Sequence, residues 1–393
     1  MINQKMFDLG AEPNKIRELF AYGLKRKAEI GADNVFDYSI GNPSVPAPEC
    51  VHQAFVEQLQ QDPVVAHEYT PSPGDPAVRK AIADYITSEF GISATAGNVY
   101  VTSGASSAIA ITLSAICEPG DEVIAIAPYF PEYRTWTHTA DCTLVEIPAS
   151  VPSFQPDIAA IEAAINERTS AIIINSPNNP VGAVYTRENL QALAKMLAAK
   201  EQELGRRIFI VADEPYREIT YGADIPYVPN LYVDTIVCYS FSKSLSLPGE
   251  RIGYIYVSDR MGDAQAISTA VAGAGRALGY ICAPVMLQRV IAKCLGTPSD
   301  VATYAANREL LTQGLSELGY EYVQPEGAFY LWVRALEPDA IAFSERAKDY
   351  ELLLVPSDSF GVKGWVRLSY CIARSTIERS MPAFRALMES YNG

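Results

Sequence analysis

Short, mostly uncharged, β-branched runs recur through the middle of the chain, separated by stretches whose apolar residues follow helical spacing. Seven runs read as strands: residues 99–102, 122–127, 143–147, 171–175, 208–212, 235–239 and 251–257. Several are continuous Ile and Val, the pattern of strands buried on both faces of a parallel sheet. Before them, residues 14–30 set Ile16, Leu19, Phe20, Tyr22 and Leu24 among charges, which predicts an amphipathic helix. Phe36 begins a short strand that runs into the Gly41-Asn42-Pro43 turn. A loop from His67 carries Tyr69 and ends at Asp75, a good N-cap for the helix that follows. Beyond residue 257 the spacing predicts helices at 264–274, 285–295 and 303–318. Runs at 320–323, 328–333, 351–355 and 365–369 predict a second, smaller sheet, and 377–390 a terminal helix. The expected fold is α/β. A large domain over 46–285 holds a mostly parallel seven-stranded sheet covered by helices, and 1–45 with 286–393 form a smaller α+β domain.

A length of 393 residues fits two domains. The formal net charge of −15 argues against nucleic acid or an anionic membrane surface as the main partner, while leaving room for a local basic pocket. No run reaches the roughly 20 apolar residues of a membrane span, and the first residues lack the apolar core of a secretory signal. Seven cysteines are odd in number, with no Cys-x-x-Cys pair, so neither a disulfide framework nor a metal site is expected. Cys238 and Cys282 read as small core residues, and the compartment as reducing and cytoplasmic. With only three histidines, lysine or carboxylate chemistry is the better expectation.

The strongest chemical candidate is Ser240-Phe-Ser242-Lys243, at the end of an uncharged strand and followed by Arg251. Strands of α/β proteins present ligands at their carboxyl edge, and two hydroxyls with an arginine suit a phosphate. Alone, this stretch reads better as a solvated loop. Other strand ends strengthen it. Ser103-Gly104-Ala105-Ser106 opens a helix whose first N–H groups and dipole favour an anion. Pro128-Tyr-Phe130-Pro131, Ser176-Pro-Asn-Asn179-Pro180 and Asp213-Glu-Pro-Tyr216 follow three further strands.

Together these motifs resemble the fold-type I pyridoxal-phosphate enzymes of the aminotransferase class I/II family, the aspartate aminotransferases among them. The likeness runs from Ile40-Gly41-Asn-Pro to Val366-Arg367-Leu-Ser. It implies that Lys243 forms a Schiff base with the cofactor and later carries a proton between substrate Cα and the cofactor. It implies that Asp213 pairs with the pyridine nitrogen, that Tyr216 and Asn179 bond the ring's O3′ oxygen, and that Phe130 stacks on the ring. The phosphate would rest on Gly104, Ala105, Ser106, Ser240, Ser242 and Arg251, with Tyr69 reaching across from a second subunit of a homodimer. Arg367 and Gly41, with Asn179, would hold the substrate α-carboxylate. Aspartate-specific members carry a larger stacking residue than Phe130, which leaves specificity open. Arg276 stands near where dicarboxylate-specific relatives place an arginine, but spacing across variable helices is a poor guide, so it reads first as a surface or structural residue. The implied activity is transfer of an amino group from an L-amino acid to a 2-oxo acid, with 2-oxoglutarate and glutamate as the expected shuttle. β-Lyases and other carbanion enzymes share the same motifs. A regulator using this fold as a ligand sensor is a further alternative, disfavoured because the family-like region starts so early.

Overall fold

The computed structural model describes residues 2–12 and 14–392. Its strands, in chain order, are β1 (Phe36–Asp37), β2 (Val99–Thr102), β3 (Glu122–Ala127), β4 (Thr143–Pro148), β5 (Thr169–Asn175), β6 (Phe209–Asp213), β7 (Thr235–Ser240) and β8 (Gly253–Val257). There follow β9 (Tyr322–Val323), β10 (Tyr330–Arg334), β11 (Leu352–Leu353), β12 (Val355–Pro356) and β13 (Trp365–Ser369). The large sheet has seven strands in the order β2-β8-β7-β6-β5-β3-β4. All pairs are parallel except those made by β8 with β2 and β7. β5 and β6 are buried along their whole length because helices cover both faces.

One antiparallel strand has a direct consequence. The ends of β2, β5, β6 and β7 meet the start of β8 at a single edge, where Thr102 and Ser240 both pair with Gly253 and Asn175 pairs with Asp213. Arg251, just before β8, is thereby brought beside Ser242, just after β7.

The small sheet, β12-β13-β10-β9, is antiparallel. Its core joins Leu311, Phe329, Leu331, Leu368 and Phe384. β1 pairs in parallel with β11, which ties the N-terminal segment to the last third of the chain. The run at 351–355 is thus not one strand of the second sheet. It divides between β11 and β12, which belong to different sheets. His67 closes a short helix, Pro63–His67, where a loop was expected. Cys282 is only half-buried, with φ of 53° and its thiol donating to the Thr70 carbonyl, so it is a turn residue and not a core one. Helix Val285–Ala292 buries Leu287, Val290 and Ile291 against the large-sheet core that includes Val51 and Ile82.

Candidate active site

A cleft of about 250 Å³ opens at the carboxyl edge of the large sheet. Its lining includes Gly41, Ala105, Ser106, Phe130, Asn179, Asp213, Tyr216, Ser240, Ser242, Lys243, Arg251 and Arg367. Every residue expected at the site is therefore gathered here except Gly104, Tyr69 and Arg276. A larger concavity of about 1560 Å³ lies along the N-terminal helices, but it is open and of mixed polar and apolar lining, and it meets the cleft only at Ile16.

Lys243 stands on the short turn Phe241–Ser244, capped by the Ser240 hydroxyl. Its Nζ donates to the Gly41 carbonyl at 2.6 Å, and no ion pair reaches it among the described residues. Burial lowers its pKa to about 8; the Cys371 thiol opposes that shift, and Arg251 and Arg367 add to it. Asp213, at the end of β6, is buried. The Tyr133 hydroxyl donates to its Oδ2 at 2.5 Å, while Oδ1 is buried without a partner. Burial pushes Asp213 up to about 7, the Tyr133 bond opposing and Glu214 assisting.

An anion cradle sits at the same edge. Gly104 precedes helix Ala105–Ile116 with φ of +87°, and a Cβ there would stand 2.7 Å from Arg251 Nη2. Glycine admits both the backbone angle and the guanidinium. Arg251 Nη1 donates to Ser242 Oγ at 3.3 Å, and Ser240 and Ser242 share a hydroxyl bond of 2.8 Å. Neither Arg251 nor the helix N-terminus has a carboxylate partner among the described residues, so both remain free for a phosphate.

Arg367, in the middle of β13, is buried and faces the cleft from the small sheet. It donates to Asn179 Oδ1 at 3.1 Å and to the Ser39 carbonyl at 2.5 Å, and its Nε has no partner. Its guanidinium lies 4.7 Å from the Tyr330 ring centroid, and the Tyr330 hydroxyl meets that of Tyr216 at 2.8 Å. Gly41 passes so close that a Cβ would fall 2.2 Å from the Tyr330 hydroxyl. Tyr69 is 95% exposed and outside the cleft of its own chain, and Arg276 is exposed at the end of helix Ala264–Ala277.

Sequence reading missed Tyr133, Tyr330, Trp136, Ile16 and Ile40, although each except Tyr133 lines the cleft and Tyr133 bonds its aspartate. Tyr133 had a signal only in its nearness to Phe130, three residues before it at the same strand end. Tyr330 had none, since its strand lies far along the chain.

An orphaned aspartate oxygen, a buried lysine of lowered pKa and an anion cradle at one sheet edge define the site of a pyridoxal-phosphate enzyme. A pyridinium, an aldehyde and a phosphate are the chemical groups these three features would suit. Residues 33–384 match the family described as aminotransferase class I and II, so the chain belongs to that family, whose members use pyridoxal phosphate. It is an aminotransferase of the aspartate aminotransferase-like fold. A solved amino transferase from Eubacterium rectale is similar to it with a TM-score of 0.97 and 49% identity, covering 100% of both chains. The aspartate/prephenate aminotransferase of Thermus thermophilus is 30% identical over 355 residues, 88% of this chain and 89% of that protein. The structure of aspartate aminotransferase from Thermus thermophilus with maleate gives a TM-score of 0.88 at 27% identity, covering 98% and 99%.

Proposed function

We propose that the enzyme takes the amino group from an acidic L-amino acid, with glutamate and 2-oxoglutarate as the shuttle pair, through a Schiff base on Lys243. One observation carries this reading: a buried lysine with no carboxylate partner shares its cleft with an aspartate that has one unpaired oxygen. Pyridoxal phosphate supplies an aldehyde for amines and a protonated ring that accepts electrons from substrate Cα.

The chain's residues then have distinct tasks. With a pKa of about 8, roughly a tenth of Lys243 is neutral at pH 7, enough to act as nucleophile and then as proton carrier at Cα. Asp213 Oδ1 would take the ring N–H, the other oxygen being fixed by the Tyr133 hydroxyl. Gly104, Ala105, Ser106, Ser240, Ser242 and Arg251 receive the phosphate. Phe130 covers one face of the ring, and Tyr216 and Asn179 donate to its O3′ oxygen. Arg367 takes the α-carboxylate in its fork, beside the Gly41 backbone.

A homodimer completes the site. Tyr69, Val64, Val65, Leu278, Tyr280 and Ile281 are exposed, and Cys282 ties the two loops together through Thr70 and Ser72. An apolar patch of this kind marks an interface. Tyr69 then reaches the phosphate of the partner copy. Within one chain, Ile16, Ile40 and Trp136 form the outer wall, and no cation besides Lys243, Arg251 and Arg367 lines the cleft among the described residues. The distal carboxylate therefore calls for a residue from the partner, and Arg276 lies on the exposed helix end beside that patch. Relatives named for aspartate and prephenate, both dicarboxylates, support this choice. Arg276→Ala raises KM for aspartate about tenfold or more and leaves alanine turnover alone; unchanged aspartate turnover contradicts the assignment. In the wider test, amino acid alone converts the holoenzyme's cofactor to its amino form and releases one equivalent of 2-oxo acid. Continuous release of ammonia and pyruvate would point to a β-lyase instead.

For the domains, the packing of Leu287, Val290, Ile291 and Cys294 on the large-sheet core supports a boundary after residue 295 in place of 285. Seven unpaired cysteines support a reducing, cytoplasmic setting. Among the described residues no helix is long and apolar enough to cross a membrane.

A further inference from the structure

A second cavity, of about 200 Å³, lies behind the lysine-bearing turn. Ser244, the residue after Lys243, lines it together with Glu218, Tyr239, Tyr85, Tyr254 and Ser299. One turn of chain thus forms a wall of both cavities. Glu218 Oε1 lies 2.7 Å from the Tyr239 hydroxyl, and that hydroxyl stands 2.8 Å from Ser244 Oγ. The Tyr239 hydroxyl has a single proton and is placed to donate it either to Glu218 Oε1 or to Ser244 Oγ. Glu218 Oε2 is buried without a partner, and Ser299 Oγ is likewise buried and unpaired.

The surroundings are anionic. Glu89 also lines the cavity, and Glu214 lies close in the same loop. The one nearby guanidinium, Arg217, is taken up by Glu214 through contacts of 2.6 and 2.5 Å. No ion pair reaches Glu218 among the described residues. Burial pushes its carboxyl up to about 7; the Tyr239 bond and Arg217 oppose that, and Glu214 adds to it. A water could satisfy the two orphaned oxygens but brings no charge to a carboxylate removed from solvent.

We propose that this cavity binds a monovalent cation of potassium or ammonium size, held by Glu218 Oε2 and Ser299 Oγ. Hard oxygen donors select against soft metals, a single carboxylate with hydroxyls falls short of the oxygen shell calcium takes, and magnesium gives up its waters reluctantly. The aromatic walls suit a weakly hydrated cation. Through Tyr239 and Ser244 the bound cation orders the turn that carries Lys243, so Glu218 is a positioning residue for the lysine and not a catalytic one.

The test uses the holoenzyme in a buffer whose only cation is tetrabutylammonium, which is too bulky for the cavity. Potassium, rubidium and ammonium chlorides are then titrated at constant ionic strength. Each should raise the thermal midpoint saturably, and crystals soaked in rubidium chloride should show an anomalous peak against Glu218 Oε2. Glu218→Gln should abolish the saturable rise, and Ser299→Ala should move its half-saturation about tenfold higher. Displacement of the rubidium peak by ammonium or by potassium at the lower concentration tells which ion the site prefers. Water alone in the cavity of rubidium-soaked crystals, or a saturable rise that survives in Glu218→Gln, overturns the proposal.

Discussion

Asp213 ends β6 and Glu218 follows five residues later in the next turn, and each has one carboxylate oxygen on a tyrosine hydroxyl and the other buried and unpaired. Burial pushes both up to about 7. They differ in what they face. Asp213 shares its cleft with Lys243, Arg251 and Arg367, whereas no cationic side chain lines the cavity of Glu218 among the described residues. A half-satisfied carboxylate is costly in a protein interior unless something completes it. In the cationic cleft the proposed partner is the ring nitrogen of the cofactor, and in the anionic cavity it is the proposed monovalent cation. On that proposal the same local chemistry would serve catalysis on one side of the lysine turn and its positioning on the other.

The sharpest way to break this comparison is at Asp213 itself. Asp213→Asn keeps the shape but cannot hold the ring nitrogen protonated, so kcat should fall on the order of 10²–10³-fold with KM little changed. A loss under tenfold would mean the aspartate is structural. The next effect is at Arg367. Lysine there loses the planar fork, and KM for the amino acid should rise roughly 10- to 100-fold while the cofactor absorbance stays as it was. Tyr133→Phe is milder. It removes the 2.5 Å bond that lowers Asp213's pKa. We expect about a tenfold loss in kcat and an acid limb of the pH profile displaced upward. Steady-state profiles of the two proteins check this, and coincident acid limbs would remove Tyr133 from the site.

The smallest effect concerns stability against pH. The folded pKa of both carboxylates lies above the ordinary value near 4. Between pH 4 and 7 the folded apoenzyme therefore holds protons that the unfolded chain has released. Raising the pH through that window favours unfolding, and above it the two groups add nothing further. A ring nitrogen on Asp213 would hold it ionised, so loading with cofactor should flatten the decline by a few degrees in thermal midpoint. Scanning calorimetry of apoenzyme and holoenzyme from pH 5 to 8 measures it; parallel curves would deny Asp213 that partner.

Asp213 and Glu218 also mark the limit of what the chain reveals before it is folded. The strands of the large sheet stand out as apolar runs because both faces are buried, so their ends, and with them Lys243, Asp213 and Asn179, could be found by position alone. Glu218 carried no such mark. Its cavity is made by Tyr85, Tyr254 and Ser299, from a helix, a strand and a loop that only the tertiary fold brings together. The run at 351–355 failed for a similar reason: five apolar and charged residues do not tell that the chain leaves one sheet for another within them. Tyr69 and Arg276 lie outside the cleft of their own chain, and the roles proposed for them need a second copy.

The account stands on Lys243 as the covalent anchor. Borohydride reduction of the holoenzyme followed by peptide mapping tests it directly. Label confined to the peptide carrying Ser240-Phe-Ser-Lys243 is the predicted result, and label on any other lysine would contradict it.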